Sequence, residues 1–202
     1  MRSLLLVHGA GSGPWAFGGW EDTFPGAQVV AVDLQAGLDV AHASIDDYAD
    51  AVMRAAAGLP RPLALVGWSL GGLVAMVAAH RIEPEALVLL DASPPLEVQG
   101  LRDVEPQVGT FDPVEHGARP PEGMRHRRES SFAMGQRDRG VSVPPLATGT
   151  RVLVVYGAAL KHDRGPMLAA YLAADELDAG DVTHWDLVRS TALRERIAAW
   201  LR

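Results

Sequence analysis

Cysteine is absent from this chain of 202 residues, which excludes disulfide bonds and thiolate chemistry. Long apolar runs are also missing, because no stretch approaches the roughly 18 uninterrupted apolar residues that indicate a membrane-spanning helix. The chain has no excess of positive charge either: its formal net charge of -7 gives no reason to expect binding to nucleic acid or to an anionic membrane. With 48% hydrophobic and 21% charged residues, the composition predicts an ordinary globular domain.

The amino-terminal apolar run is too short for a secretory signal peptide. Residues 4–7 alone are apolar before His8 and Gly9, and no Ala-x-Ala-like cleavage site follows. We therefore expect this run to form a strand of the mature protein, and we expect the protein to be cytoplasmic.

Residues 67–71 read Gly-Trp-Ser-Leu-Gly, which matches the Gly-x-Ser-x-Gly pattern of a nucleophile elbow. The pattern has this meaning between a strand and a helix. Here the apolar run Leu63–Val66 precedes it and the small-residue run Leu73–Ala79 follows. The two glycines permit a tight turn, which would lift the Ser69 hydroxyl out of the sheet and aim a helix N-terminus at negative charge beside it. Ser69 is therefore the candidate nucleophile.

Apolar runs that alternate with helical patterns predict the fold class. The predicted strands are Ser3–Val7, Ala27–Val32, Leu63–Val66, Ala86–Leu90, Arg151–Tyr156 and Asp175–Leu177. The predicted helices lie near Phe17–Phe24, Ile45–Ala57, residues 70–81, Pro166–Ala174 and Leu187–Leu201. This alternation predicts an α/β protein with a mostly parallel six-stranded sheet and helices on both faces.

Regular patterning is weak between residues 95 and 150, where Pro, Gly, Arg and Glu dominate and Glu122–Met134 is the best helix candidate. Since this segment is too long for a simple connector, we expect a cap or lid insertion within a single domain that spans residues 1–202. Between His116 and Arg139 the cations are Arg119, Arg125, Arg127, Arg128, Arg137 and Arg139, against the acids Glu122, Glu129 and Asp138. This bias favours an anionic substrate group, although scattered ion pairs on a solvated lid explain it equally well.

Residues 8–13 read His-Gly-Ala-Gly-Ser-Gly, and this loop after the first strand has two interpretations. A dinucleotide-binding fingerprint would use Asp33, about 20 residues further on, but needs its third glycine where the chain has Pro14. An oxyanion hole would instead use the backbone N–H groups of Ala10 and Leu70. We favour the oxyanion hole, because a cofactor site leaves the Ser69 elbow unexplained, and we expect no chemistry from Asp33.

A serine nucleophile needs a base, and His184 is the candidate among seven histidines. It lies in a predicted loop between the last strand and the last helix. In a parallel sheet, that loop opens at the carboxyl edge, which is also the edge of the elbow. His8 belongs to the glycine loop, and the others sit at a helix end or in polar, loop-like surroundings (His42, His80, His116, His126 and His162).

The residue that would orient this base has two candidates. Asp91 ends the fourth predicted strand, and Asp163 follows the fifth. Both positions are at the carboxyl edge of the sheet, within reach of His184. The alternative roles are a strand-end acid satisfied by loop amides for Asp91 and a surface ion pair for Asp163.

These residues resemble the α/β-hydrolase superfamily over nearly the whole chain except residues 95–150. Residues 67–75 resemble the elbow of small carboxylesterases, including those that cleave pimeloyl-carrier-protein methyl esters. Residues 6–10 and 30–34 resemble plant methylesterases and hydroxynitrile lyases. Because the family starts with two strands that have no counterpart here, the resemblance implies a trimmed, six-stranded α/β-hydrolase fold.

The resemblance also bears on the acid. Most members carry it three or four residues after the glycine of the strand-five motif, where this chain has Leu160 and Lys161. A branch resembling the thioesterases of polyketide and peptide synthesis takes its acid from the end of the preceding strand. That branch favours Asp91 here, with Asp163 as the alternative.

Together these features predict a serine hydrolase that cleaves a carboxylic ester or acyl thioester through an acyl-enzyme. The predicted substrate is a small-molecule acyl compound, free or bound to CoA or a carrier protein, and neither a metal nor an organic cofactor is required. Candidates for lining the acyl pocket are Trp15, Trp68, Trp185 and Phe132. The alternatives are a non-hydrolytic lyase or cyclase, a nucleotide-binding Rossmann-type protein, and a non-enzymatic binding protein.

Overall fold

The computed structural model describes residues 2–202 and contains a six-stranded, wholly parallel sheet. Its strands are β1 (Ser3–Val7), β2 (Gln28–Val32), β3 (Leu63–Trp68), β4 (Ala86–Leu90), β7 (Arg151–Tyr156) and β8 (Asp175–Asp178). A separate antiparallel pair consists of β5 (Thr110–Phe111) and β6 (Glu129–Ser130). The helices are α1 (Trp20–Thr23), α2 (Ile45–Ala57), α3 (Leu70–Ile82), α4 (Leu96–Gln99), α5 (Ser131–Arg139), α6 (Arg164–Leu172), α7 (Asp186–Arg189) and α8 (Thr191–Leu201), with a 3₁₀ turn at Pro14–Phe17.

The strand order β2-β1-β3-β4-β7-β8 reverses direction at β1. The chain runs from β1 outward to β2 and then returns to place β3 on the other side of β1, with Val7 beside Gly67. In open parallel sheets, ligands bind in the crevice at such a reversal, at the carboxyl ends of the strands. The loops that follow β1 and β3 therefore meet at one point, and these are the glycine loop and the Ser69 turn.

Two apolar layers cover the two faces of the sheet. Along β1, Leu4 and Leu6 face the layer that contains α8, whereas Leu5 and Val7 face the layer that contains α2 and α3. The alternation follows from the period of two along a strand. Because both faces are buried, β1 reads as a continuous apolar run, as the sequence predicted.

The helix α2 begins and ends where its sequence indicated. The Ser44 hydroxyl accepts a hydrogen bond from the Asp47 N–H (3.1 Å), and the Asp47 carboxylate accepts one from the Ser44 N–H (2.9 Å). This reciprocal capping box satisfies two N–H groups at the helix start, and Gly58 follows the last turn.

Two helix predictions were wrong in their bounds. Residues 122–128 are not helical, and α5 instead starts at Ser131, where the Ser130 hydroxyl accepts the Ala133 N–H (3.1 Å). The carboxyl-terminal helix is two helices, α7 and α8. They are separated at Ser190, whose hydroxyl accepts the Leu193 N–H (3.3 Å) as the cap of α8.

The segment between β4 and β7 lies over the carboxyl edge of the sheet, because its residues share a cavity wall with Ser69 and His184. It contains α4, the β5–β6 pair and α5. Within residues 2–202, no helix has the length and hydropathy needed to cross a membrane.

Candidate active site

Ser69 occupies a strained turn between β3 and α3. Its backbone has φ 57° and ψ -125°, which a residue with a side chain rarely adopts. The turn is possible because Gly71 has no side chain: a Cβ there would lie 2.3 Å from the carbonyl oxygens of both Val7 and His8. A Cβ on Gly67 would lie 2.6 Å from the Gly71 carbonyl oxygen. The two glycines of the Gly-x-Ser-x-Gly pattern therefore let β3, α3 and the end of β1 approach closely.

His184 and Asp91 meet beside this turn. The His184 Nδ1–H donates a hydrogen bond to Asp91 Oδ2 (3.0 Å), and the Asp91 side chain is fully buried. The second carboxylate oxygen, Oδ1, accepts the Gly157 N–H (2.9 Å). Asp91 itself has a positive φ of 39°, so its backbone is also strained. These two hydrogen bonds satisfy the buried carboxylate and orient the imidazole ring.

Asp163 lies elsewhere. It is exposed at the N-terminus of α6, where its carboxylate accepts the backbone N–H of Arg164. The neighbouring Lys161 pairs instead with Asp181 (2.5 Å), and this contact raises the pKa of Lys161. Of the two acid candidates, the structure brings Asp91 and not Asp163 to His184.

Trp68 holds the His184 loop in place. Its indole N–H donates to the His184 carbonyl oxygen (3.0 Å), and its ring centroid lies 5.0 Å from that of His184 and 4.6 Å from that of Trp185. Among residues 2–202, the Ser69 hydroxyl itself has no hydrogen-bond partner. The hydrogen bond between a catalytic serine hydroxyl and a histidine imidazole is often long or poorly aligned in the absence of substrate, and it shortens when substrate binds.

The backbone N–H groups of Ala10 and Leu70 lie in the two loops that meet at Ser69. Ala10 lines the cavity next to Ser69, and Leu70 is the first residue of α3. Neither N–H has an acceptor in the described part of the chain. Gly9 is packed so closely that a Cβ on it would lie 2.8 Å from the Ser69 Cβ. Each of the two loops that meet at the sheet reversal therefore has a backbone N–H without an acceptor.

His8 is a buried, neutral side chain that fixes the glycine loop. Its Nδ1–H donates to the Gly9 carbonyl (2.9 Å), and its Nε2 accepts the Leu34 N–H (3.2 Å) and a guanidinium N–H of Arg127 (3.1 Å). Burial lowers the pKa of His8 to about 4. Arg127 also binds Asp33 with both terminal nitrogens (2.5 and 3.1 Å), and this bond lowers the pKa of Asp33. Asp33 is thus paired with a cation of the middle segment.

Glu129 was missed by sequence reasoning. Its side chain is 1% exposed and accepts four hydrogen bonds. Oε2 accepts the Gly11 N–H (2.8 Å). Oε1 accepts the Tyr48 hydroxyl (2.5 Å), the Gln35 amide N–H (3.3 Å) and the backbone N–H of Ser130 (2.8 Å). Burial, together with the adjacent Glu129 charge, raises the pKa of Tyr48. No spacing signal predicts this cluster, since its members come from four separate segments.

The Arg127 backbone completes the attachment, because its N–H donates to the Gly11 carbonyl (2.9 Å). We call residues 125–129 with these contacts the clamp on the glycine loop. Trp15 contacts this clamp. Its indole N–H donates to the Arg125 carbonyl (2.9 Å), and the guanidinium groups of Arg125 and Arg127 lie 5.1 and 5.3 Å from its ring centroid. Trp15 does not line the cavity beside Ser69.

A cavity of about 890 Å³ opens beside Ser69. Trp68, Trp185 and Phe111 line it, whereas Phe132 does not. The wall also includes Pro113, Pro121, Met134 and the cations Arg119 and Arg137. Among the predicted basic residues, Arg137 pairs with Asp138 and Arg139 with Glu105 (3.3 Å), so the scattered-ion-pair interpretation describes much of this basic bias. No group of three or more His, Asp or Glu side chains within residues 2–202 is arranged to hold a metal.

A six-stranded parallel sheet with a strained serine at a strand-to-helix turn defines an α/β hydrolase. The family model described as the thioesterase domain matches residues 2–129, and the chain belongs to that family. It is accordingly an enzyme of the esterase and thioesterase class. No curated protein is similar enough in sequence to count as a match.

Solved structures show the same fold at low sequence identity. Polyneuridine aldehyde esterase is 16% identical, with a TM-score of 0.67 over 100% of this chain and 99% of that one. A variant of tomato methylketone synthase I in complex with β-ketoheptanoate is 16% identical, with a TM-score of 0.70 over 100% and 97%. The RedJ thioesterase from the prodiginine pathway of Streptomyces coelicolor is 18% identical, with a TM-score of 0.61 over 99% and 89%.

Proposed function

We propose that this protein hydrolyses a carboxylic ester or acyl thioester through a covalent acyl-enzyme on Ser69. The observation that carries the proposal is the 3.0 Å hydrogen bond from His184 Nδ1 to the buried Asp91 carboxylate, beside a serine on a strained turn. A protonated Nδ1 leaves Nε2 as the free base of the imidazole, which is the tautomer that accepts a proton from a serine hydroxyl.

The chemistry proceeds in two halves. Ser69 Oγ bonds to the substrate carbonyl carbon while His184 takes its proton, and the bond to the leaving oxygen or sulfur breaks as His184 returns that proton. Water then attacks the acyl-enzyme, again with His184 as base, and releases the acid. Asp91 stabilises the imidazolium during both halves. The Ala10 and Leu70 N–H groups bind the oxyanion of the tetrahedral intermediate. Both are available for it, because neither donates to an acceptor within residues 2–202.

The apolar cavity of about 890 Å³ supports an acyl group of more than a few carbons, with Trp68 and Trp185 against it. We propose that the segment of residues 95–150 acts as its cap within a single α/β-hydrolase domain. We extend the proposal to an acyl group carried by CoA or by a carrier protein, because the chain belongs to the thioesterase family. The RedJ thioesterase, similar in fold, supports the same extension.

A panel of p-nitrophenyl acyl esters and N-acetylcysteamine thioesters tests the proposal. Ser69→Ala should lower kcat by about 10⁴-fold or more, and Asp91→Asn by about 10³- to 10⁴-fold because the imidazole loses its orienting acceptor. Asp163→Asn is the matched control, since asparagine also caps a helix, and it should stay within about twofold of wild type. Wild-type rates in Ser69→Ala contradict the mechanism, and an active Asp91→Asn beside an inactive Asp163→Asn contradicts the acid assignment.

A second candidate is a non-hydrolytic reaction in which Ser69 and His184 only move protons. The observation that favours this candidate is the Ser69 hydroxyl, which has no hydrogen-bond partner within residues 2–202. Labelling with a fluorophosphonate separates the two, because only an activated serine forms the covalent adduct. Wild type labelled at Ser69 supports hydrolysis, whereas an unlabelled protein that still converts substrate supports the second candidate.

A further inference from the structure

A second, smaller cavity of about 290 Å³ meets the first at the candidate active site. Ser69, His184, Arg137 and Asp138 belong to the walls of both cavities. A substrate whose reacting carbonyl lies at Ser69 therefore has two directions in which to extend. The large cavity suits the acyl chain by volume and apolar lining, which leaves the small cavity for the group on the other side of the bond that breaks.

The wall of the small cavity has more arginines than acids, since the acids that line it are Asp91 and Asp138. Three arginines line it: Arg102, Arg137 and Arg164. Arg137 is paired with Asp138, but Arg102 and Arg164 have neither an ion pair nor a side-chain hydrogen bond to any of residues 2–202.

The buried acid in the same wall, Asp91, forms no ion pair with Arg102 or Arg164. Both Asp91 oxygens already accept hydrogen bonds, one from Gly157 and one from His184. Arg102 comes from the segment after α4 and Arg164 from the start of α6, so two separate segments each contribute an arginine to the wall of one small cavity.

The larger cavity has no such excess. Its lining includes Arg119 and Arg137 against three acids, Glu105, Asp138 and Asp186. Of these acids, Glu105 pairs with Arg139 (3.3 Å) and Asp138 with Arg137. The excess of arginines over acids is therefore found in the wall of the small cavity and not in that of the large one, in a chain with a net charge of -7.

We propose that the small cavity is a subsite for an anionic leaving group, recognised by Arg102 and Arg164. The ligand chemistry is a thiol or alcohol with a carboxylate or phosphate a few bonds from the reacting atom, and the proposal rests on the hydrolytic function above. A planar guanidinium binds either anion through paired N–H donors. The two arginines are then specificity-determining residues, since they touch the part of the substrate that leaves and not the carbonyl carbon.

The test compares three octanoyl thioesters that differ only in the leaving thiol: anionic 3-mercaptopropionate, neutral N-acetylcysteamine and cationic thiocholine. Wild type should favour the anionic over the neutral thioester by about tenfold in kcat/KM, with thiocholine poorest. Arg102→Gln and Arg164→Gln should each reduce this preference by about threefold to fivefold and leave kcat/KM for the neutral thioester within about twofold. Arg102→Glu with Arg164→Glu should reverse the preference towards thiocholine.

Arg196→Gln is the matched control, because it removes the same charge from an exposed position of α8 far from both cavities. It should retain the wild-type preference. A second series of thioesters with 2-mercaptoethyl phosphate as the leaving group distinguishes a phosphate from a carboxylate source. Equal wild-type kcat/KM values for all leaving groups overturn the subsite. A loss of preference in Arg196→Gln as large as in Arg102→Gln and Arg164→Gln overturns it as well.

Binding to Ser69→Ala separates failure of this proposal from failure of the hydrolytic one. Calorimetry measures the Kd of the intact anionic and neutral thioesters without turnover. Tighter binding of the anionic thioester, lost with Arg102→Gln and Arg164→Gln, supports the subsite even if wild type hydrolyses neither compound. Equal Kd values overturn it even if both are hydrolysed.

Discussion

Replacing Glu129 with glutamine tests whether the clamp on the glycine loop positions the site. The substitution keeps the side-chain shape but turns one acceptor oxygen into a donor. Three of the four hydrogen bonds reach Oε1, so the amide oxygen should remain on that side. The NH₂ group then faces the Gly11 N–H, where Oε2 now accepts at 2.8 Å. Two donors point at each other, and the loop loses a charge-assisted hydrogen bond.

The expected cost follows from that geometry. A hydrogen bond to a charged group contributes about 1.5–3 kcal/mol, and a buried donor left unpaired adds to the loss, which gives about 2–4 kcal/mol in the free energy of unfolding. For a chain of this length, that corresponds to a fall in Tm of about 4–16 °C. Because Ala10 precedes Gly11, the candidate oxyanion donor should shift as well. We expect kcat to fall about tenfold with KM within about twofold.

Thermal unfolding and octanoyl thioester kinetics measure the two effects on the same preparations. Glu122→Gln is the control, since Glu122 is exposed in the same segment and makes no hydrogen bond or ion pair within residues 2–202. It should change neither Tm nor kcat. A Glu129→Gln protein with wild-type Tm refutes the hydrogen-bond reasoning. A lowered Tm with unchanged kcat refutes the positioning role and leaves a purely structural one.

Two further predictions concern the loops that meet at the sheet reversal. Because the pKa of His8 is about 4 when folded and 6.5 by default when unfolded, its neutral form contributes about 3 kcal/mol above pH 6.5 that is lost as pH falls to 4. His8→Asn should therefore flatten the dependence of Tm on pH in that window, and an unchanged slope would show that other groups cause it. Gly71→Ala should lower the free energy of unfolding by about 1–3 kcal/mol and reduce thioester turnover, since the alanine Cβ would lie 2.3 Å from two backbone carbonyl oxygens. Gly58→Ala, with open space around its Cβ, should leave both unchanged, and equal effects of the two alanines would refute the steric explanation.

The local elements were predictable because their causes are local. Apolar runs bounded by turns identified the first five strands of the parallel sheet, and Ser44 as a helix cap identified the start of α2. Where patterning was weak, prediction failed. Arg127 and Glu129 fall within the helix predicted at Glu122–Met134, but their side chains and backbone are committed to the glycine loop, and α5 starts only after them.

The sequence by itself determined the Ser69 turn, since a tight strand-to-helix turn with glycines on both sides leaves little conformational choice. It did not decide between Asp91 and Asp163, because both follow strands at the same edge of the sheet. That choice depended on the position of the His184 loop. The indole N–H of Trp68 fixes this loop by donating to the His184 carbonyl, and the imidazole then reaches Asp91. The clamp at Glu129 and the placement of Arg102 and Arg164 in the wall of one cavity are likewise products of the tertiary structure. Each unites segments far apart in the chain, and their proximity leaves no periodic trace in the order of the residues.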